Sequence, residues 1–128
     1  MKFKHKEDME LFFKLHPYLI LILSDMNLYC MNNDMEFIIT DTISTLKEDL
    51  ALNRKSTTHR TKRAADIRTR NWSQLEIKDF QSYFNHKYKD YAAYSKSGKP
   101  SLVVIHDNGN GTHGHIQIHS RFANFDKP

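Results

Sequence analysis

The chain has 128 residues, 39% hydrophobic and 27% charged, which fits one soluble globular domain over 1–128 and excludes a disordered or fibrous chain. Its one cysteine, Cys30, excludes an internal disulfide and a cysteine-based metal site, and reads as a buried reduced thiol suited to a reducing compartment. The formal charge of +4 is concentrated in Arg54, Lys55, Arg60, Lys62, Arg63, Arg68 and Arg70, a stretch that suits a polyanion or a solvated face.

Residues 7–30 carry Met9, Phe12, Phe13, Leu15, Leu19 and Ile20 at helical spacing, with Pro17 dividing two helical pieces. The apolar run from Tyr18 to Leu23 is too short to cross a bilayer, and its flanks do not suit a signal peptide. The expectation is therefore no leader and no membrane insertion. Residues 36–40, rich in apolar and β-branched side chains and preceded by Asn32-Asn-Asp34, predict a short strand. Residues 42–53 predict a helix capped by Asp41 or Thr42, with Ile43, Leu46 and Leu50 as its apolar stripe.

Residues 54–62 read as a polar loop and 64–68 as a strand entering the core. Ser73 and Glu76 form a capping-box signature for a helix over 74–92. Residues 101–106 predict a strand, Asp107-Asn-Gly-Asn-Gly111 a hairpin turn, and 115–122 the returning strand. This order defines an α+β domain, a small antiparallel sheet with packed helices.

Histidine and aspartate recur in a pattern suited to a metal. His59 and Asp66 flank the end of the polar loop, and His113-Gly-His115 opens the last strand. A borderline-soft cation such as zinc takes imidazole nitrogen and carboxylate oxygen, and catalytic sites use three protein ligands with one position left for water. On an extended strand alternate side chains share a face, so His113, His115, Gln117 and His119 point one way while Ile116 and Ile118 enter the core. One imidazole then serves a metal and its neighbour a proton transfer.

The run Ser56-Thr-Thr-His59-Arg-Thr-Lys-Arg63-Ala-Ala-Asp66-Ile67, with His115-Ile-Gln117, resembles the signature of the zinc D-Ala-D-Ala carboxypeptidases and L-alanyl-D-glutamate endopeptidases. These include VanX-type dipeptidases and phage endolysins. The resemblance covers residues 36–122 and implies a Hedgehog/DD-peptidase-like fold. It implies Zn²⁺ held by His59, Asp66 and His115, and hydrolysis of peptide bonds in peptidoglycan stem peptides. It also implies a phage or prophage protein that gathers in the host cytoplasm or virion and acts on the cell wall after release.

The chain departs from that family's pattern in several places. The family commonly carries a catalytic Glu or Asp three residues before the third ligand, where this chain has Thr112. By the resemblance His113 assists catalysis instead, with Asp107 across the turn as a fallback base. The glycine usual between the first two ligands is replaced by Lys62, and Thr40-Asp-Thr-Ile-Ser44 lacks the arginine used on a substrate carboxylate. Arg63 is placed to hold that carboxylate or to pair with Asp66. Ser56 and Trp72 are further candidate substrate contacts, Trp72 reading either as cleft wall or as core. His106 flanks the site, whereas His5, His16 and His86 have no partners in sequence. Two other readings remain open: a zinc-binding structural or virion-associated module without turnover, and a basic nucleic-acid-binding protein or metal-dependent nuclease. The last lacks a recognisable binding motif, so nucleic acid is not the expected partner.

Overall fold

A computed structural model of the protein describes residues 1–107, 109 and 111–123. The chain opens with a two-residue strand, β1 (Lys2–Phe3), then α1 (Lys6–Leu11) and a 3₁₀ turn (Phe12–Lys14). Pro17 divides the helical stretch as expected: it occupies the first turn of α2 (Pro17–Asn32), where a missing N–H leaves no bond unmade. His16 caps that helix, its Nδ1 accepting the Tyr18 N–H at 3.0 Å, so a histidine without a sequence partner has a structural role.

Next come β2 (Ile38–Asp41) and α3 (Leu46–Ala51). α3 starts later than the sequence suggests because the residues before it are engaged elsewhere. Thr42 donates its hydroxyl to Asp8 at 2.5 Å and Ser44 donates to Asp49 at 2.7 Å, leaving Thr45 to cap the helix in a capping box with Glu48. Of the expected apolar stripe, Leu46 and Leu50 face outward, 57% and 71% exposed, while Ile43, ahead of the helix, packs against the core.

β3 (Ala64–Arg68) is followed by α4 (Gln74–Lys87), which carries the Ser73–Glu76 capping box read from the sequence. α4 stops short of residue 92 because the chain must extend there: Ala92 bridges Ile118 and the Tyr91 carbonyl accepts the His119 N–H at 2.9 Å. β4 (Val103–Asp107) and β5 (Thr112–Gln117) pair as the expected hairpin. Of its turn, Asn108 and Asn110 lie outside the described residues. β5 ends before residue 122 because His119 caps a 3₁₀ turn over Ser120–Phe122.

The result is an α+β fold with a five-stranded sheet in the order β1-β2-β3-β5-β4. The antiparallel expectation holds for β2 to β5, while β1 adds a parallel edge on β2. One face of the sheet presents Ile39, Ala65, Ile67, Val103 and Ile116 to a core with Leu19, Ile22, Leu23 and Met26 of α2 and Ile77, Phe80 and Phe84 of α4. Among the described residues no helix is long and apolar enough to cross a membrane.

Candidate metal centre

The face of the sheet turned away from α2 and α4 is the floor of an open cleft. Strand alternation decides which side chains reach it. In β3 the buried Ala65 and Ile67 alternate with Asp66 and Arg68, and in β5 the buried Gly114 and Ile116 alternate with His113, His115 and Gln117. Antiparallel register sets Asp66 opposite His115, and Arg68 opposite His113. On the other side of β5, His113 stands opposite His106 of β4.

His59 arrives from the loop before β3. That loop is closed by Thr61 N–H to the Thr57 carbonyl at 2.9 Å, Lys62 N–H to His59 at 3.2 Å and Arg63 N–H to Thr58 at 2.8 Å. Lys62 adopts φ of +65°, the left-handed region that favours glycine. The turn is thus made here without a glycine.

The three candidate ligands meet. His59 Nε2 lies 3.2 Å and His115 Nδ1 2.8 Å from the same oxygen, Asp66 Oδ1. One ligand atom from each residue lies within 4.8 Å of the others. A tetrahedral zinc with bonds of about 2.0–2.2 Å spaces its ligands by about 3.3–3.6 Å, so both imidazoles would step back slightly from Asp66 Oδ1 to admit it. The donor set of two imidazoles and a carboxylate also fits zinc. Here imidazole N–H groups point at Asp66 in the place of a cation. Burial opposes a charged His59, but the hydrogen bond and charge of Asp66 outweigh it and raise the His59 pKa. Burial likewise opposes a charged Asp66, yet hydrogen bonds from His115 and His59 hold its carboxyl well below the usual carboxylate range.

Outer contacts orient each candidate ligand, as a metal site would require. His59 Nδ1 donates to the Thr42 carbonyl at 2.5 Å, which turns Nε2 toward Asp66. His115 Nε2 lies 3.4 Å from the Thr58 hydroxyl, itself 3.1 Å from Ser56 Oγ. Arg54 pairs with Asp41 and stands 3.8 Å from Asp66 Oδ2. Asp41 faces Asp66 across β2 and β3, and opposed carboxylates repel, so Arg54 compensates a repulsion built into the register. Arg54, Thr42 and Thr58 carry no sequence signal beyond lying near the motif.

The structure separates the remaining candidates. Ser56, His106 and His113 line the cleft with the three ligands. Asp107 does not: it alternates to the other side of β4 from His106, and its carboxylate accepts the Gly109 N–H at 2.9 Å. Thr112 shares that side and accepts a hydrogen bond from Thr69 at 2.9 Å. Trp72 resolves to the core, 7% exposed, with Nε1 donating to the Glu36 carbonyl at 3.0 Å. Among the described residues Arg63 pairs with no carboxylate: it is buried and donates to the Ile118 carbonyl at 3.0 Å and to Thr61 at 2.8 Å, beside a smaller depression. His119 accepts the Arg121 N–H and lies outside the metal cluster.

The basic stretch does not form one face. Arg54 and Arg60 turn toward Asp49 and Arg63 is buried, while Arg68 and Arg70 line the cleft. No family model, curated protein or solved structure matches the chain.

Proposed function

We propose that the protein is a zinc-dependent peptidase hydrolysing amide bonds in peptidoglycan stem peptides, as the resemblance of its ligand motif suggests. The observation that carries this reading is the convergence of His59 Nε2, Asp66 Oδ1 and His115 Nδ1 on the floor of an open cleft. Zinc bound by these residues would supply Lewis-acid polarisation of a carbonyl and lower the pKa of water. In this reading His113 moves the proton. It faces the same cleft two residues before His115, about 7 Å along the strand. Asp107 is left out of this scheme because its carboxylate is engaged in the turn. The Hedgehog/DD-peptidase likeness, the phage or prophage setting and action on the wall after release from host cytoplasm or virion belong to the same proposal.

Elemental analysis of the purified wild type beside His59→Ala and Asp66→Ala tests the metal. One zinc per chain, lost in both variants, is expected; a folded wild type that neither holds nor takes up zinc overturns the reading. Digestion of purified muropeptides then tests the reaction, with His113→Ala expected to keep zinc and lose cleavage. A second reading, a zinc-binding module without turnover, is favoured by one observation. The position where the family carries a catalytic carboxylate is Thr112, tied to Thr69. Stoichiometric zinc with no cleavage of any muropeptide selects it.

A further inference from the structure

One pleat beyond the ligands lies a row of side chains made only of hydrogen-bond donors and imidazoles. Arg68 of β3, His113 of β5 and His106 of β4 are successive cross-strand partners. The rings of His113 and His106 are 5.4 Å apart between centroids. Arg70 follows where β3 leaves the sheet, against Gly111. All four line the cleft that holds the ligands. Among the described residues, none of the four side chains makes a hydrogen bond or an ion pair. The neighbouring cations differ: Arg54 and Arg60 face carboxylates and Arg63 is bound to a backbone carbonyl.

Two guanidinium groups without a hydrogen bond or ion pair, Arg68 feeling the charge of Glu36 at longer range, stand beside two imidazoles with no carboxylate in the row, and this suits an anion. A second metal ion is disfavoured there, since only the two imidazoles could ligate it and Arg68 stands directly across from one of them. The planar fork of an arginine matches an oxyanion with two parallel N–H donors. We propose that Arg68, His113 and His106, with Arg70 at their edge, bind a single oxyanion group, a carboxylate or a phosphate, beside the His59–Asp66–His115 centre. Arg68 follows Asp66 by two residues, about 7 Å along the strand. An oxyanion held by Arg68 therefore sits about one residue's length from the ligand row. The binding itself does not rest on hydrolysis. Only if the peptidase reading holds does it follow that the anion is a carboxylate on the residue adjoining the cleaved amide.

The test is NMR of the histidine ring resonances of the full chain. Inorganic phosphate is titrated in one series, and N-acetylglycine beside its amide in another, at constant ionic strength. Saturating shifts at His106 and His113 are expected, with Arg68→Gln weakening the affinity about ten-fold and Arg68→Lys retaining part of it. A response to N-acetylglycine but not its amide identifies a carboxylate site, and a response to phosphate alone a phosphate site. The proposal is overturned by the absence of saturable shifts. It is overturned equally by shifts confined to His59 and His115, or by a folded Arg68→Gln protein that binds as the wild type does. Zinc content is measured on the same samples: anion binding lost with zinc intact refutes this site alone, and zinc absent with anion binding intact refutes the peptidase reading alone.

Discussion

Gly114 stands between His113 and His115 for a steric reason that can be tested. It faces the helices opposite Ile67, and a β-carbon there would lie 2.9 Å from Ile67 Cγ1, 3.3 Å from Cδ1 and 3.5 Å from Thr69 Cγ2. Carbon atoms pack at about 3.5–4.0 Å, so Gly114→Ala forces Ile67 or β5 itself to move. Overpacking of this kind destabilises by about 1–3 kcal/mol. Ile67 is fully buried, and Ile67→Ala alone should cost about 2–5 kcal/mol through lost contacts and a cavity. In the double variant the new methyl enters space the isoleucine vacates, so the combined loss should fall short of the sum by at least about 1 kcal/mol. Urea denaturation followed by far-UV circular dichroism gives each term. Displacing β5 also moves both histidines, so zinc affinity in Gly114→Ala should drop about ten-fold and recover in part in the double variant. A Gly114→Ala protein of wild-type stability, or losses additive within about 0.5 kcal/mol, would refute the reasoning.

Further outcomes follow from the packing. Burial pushes the Cys30 thiol up to about 12 and leaves it 0% exposed, so a disulfide reagent at mildly alkaline pH should leave the native protein unlabelled and label one thiol per chain in guanidinium chloride. Thr45→Ala removes the side-chain half of the α3 capping box and should lower stability by about 1 kcal/mol in urea denaturation, whereas Thr45→Ser should be close to neutral. Partial burial opposes a charged Asp25, but hydrogen bonds from Lys87 and Tyr88 outweigh it and hold its pKa below the ordinary value. A carboxyl depressed in the folded state stabilises fully above its unfolded pKa and loses that effect as pH falls through the folded value. The stability gap between wild type and Asp25→Asn should therefore be present near neutrality and close below about pH 4. A gap that widens on acidification would contradict this.

The parts of the fold legible in the sequence are those governed by local chemistry. Pro17 at a helix start, the Ser73–Glu76 capping box and the alternation of His113, His115 and Gln117 with Gly114 and Ile116 each depend on a few neighbouring residues. The grouping of His59, Asp66 and His115 is different in kind: it is expected from the resemblance of the motif, and it is the long-range pairing of β3 with β5 that brings the three together. What the sequence misassigns depends on distant partners. Residues 42–45 read as helix until Asp8, His59 and Asp49 are brought against them. Arg63 reads as a substrate contact or a partner of Asp66 until the Ile118 carbonyl is found to hold it, and of the two readings of Trp72, cleft wall or core, the enclosure by Glu36 and Phe80 selects the core. Asp107 reads as a base because it is close to the site along the hairpin, but strand parity places it on the other side of β4.

Strand parity also explains why one narrow segment of sheet carries so much charge. Every polar group of the centre lies on the face that the core does not use, so the hydrophobic pattern of β3 and β5 is undisturbed by Asp66, Arg68, His113 and His115. The difficulty that remains is electrostatic: Asp66 is opposed by Asp41 on one side and flanked by two imidazoles on the other. Arg54 neutralises Asp41 and Asp49 closely but approaches only Asp66 Oδ2, and at 3.8 Å. Asp66 Oδ1 is the oxygen both histidines face. In the centre as it stands both imidazoles face that oxygen, and a divalent cation bound as proposed would meet the same three residues. The ligands are gathered by sheet register and by the Lys62 turn, with a separate hydrophobic core behind them. Zinc bound as proposed would therefore meet residues already gathered by the fold, unlike small zinc domains in which binding the metal is itself the folding event.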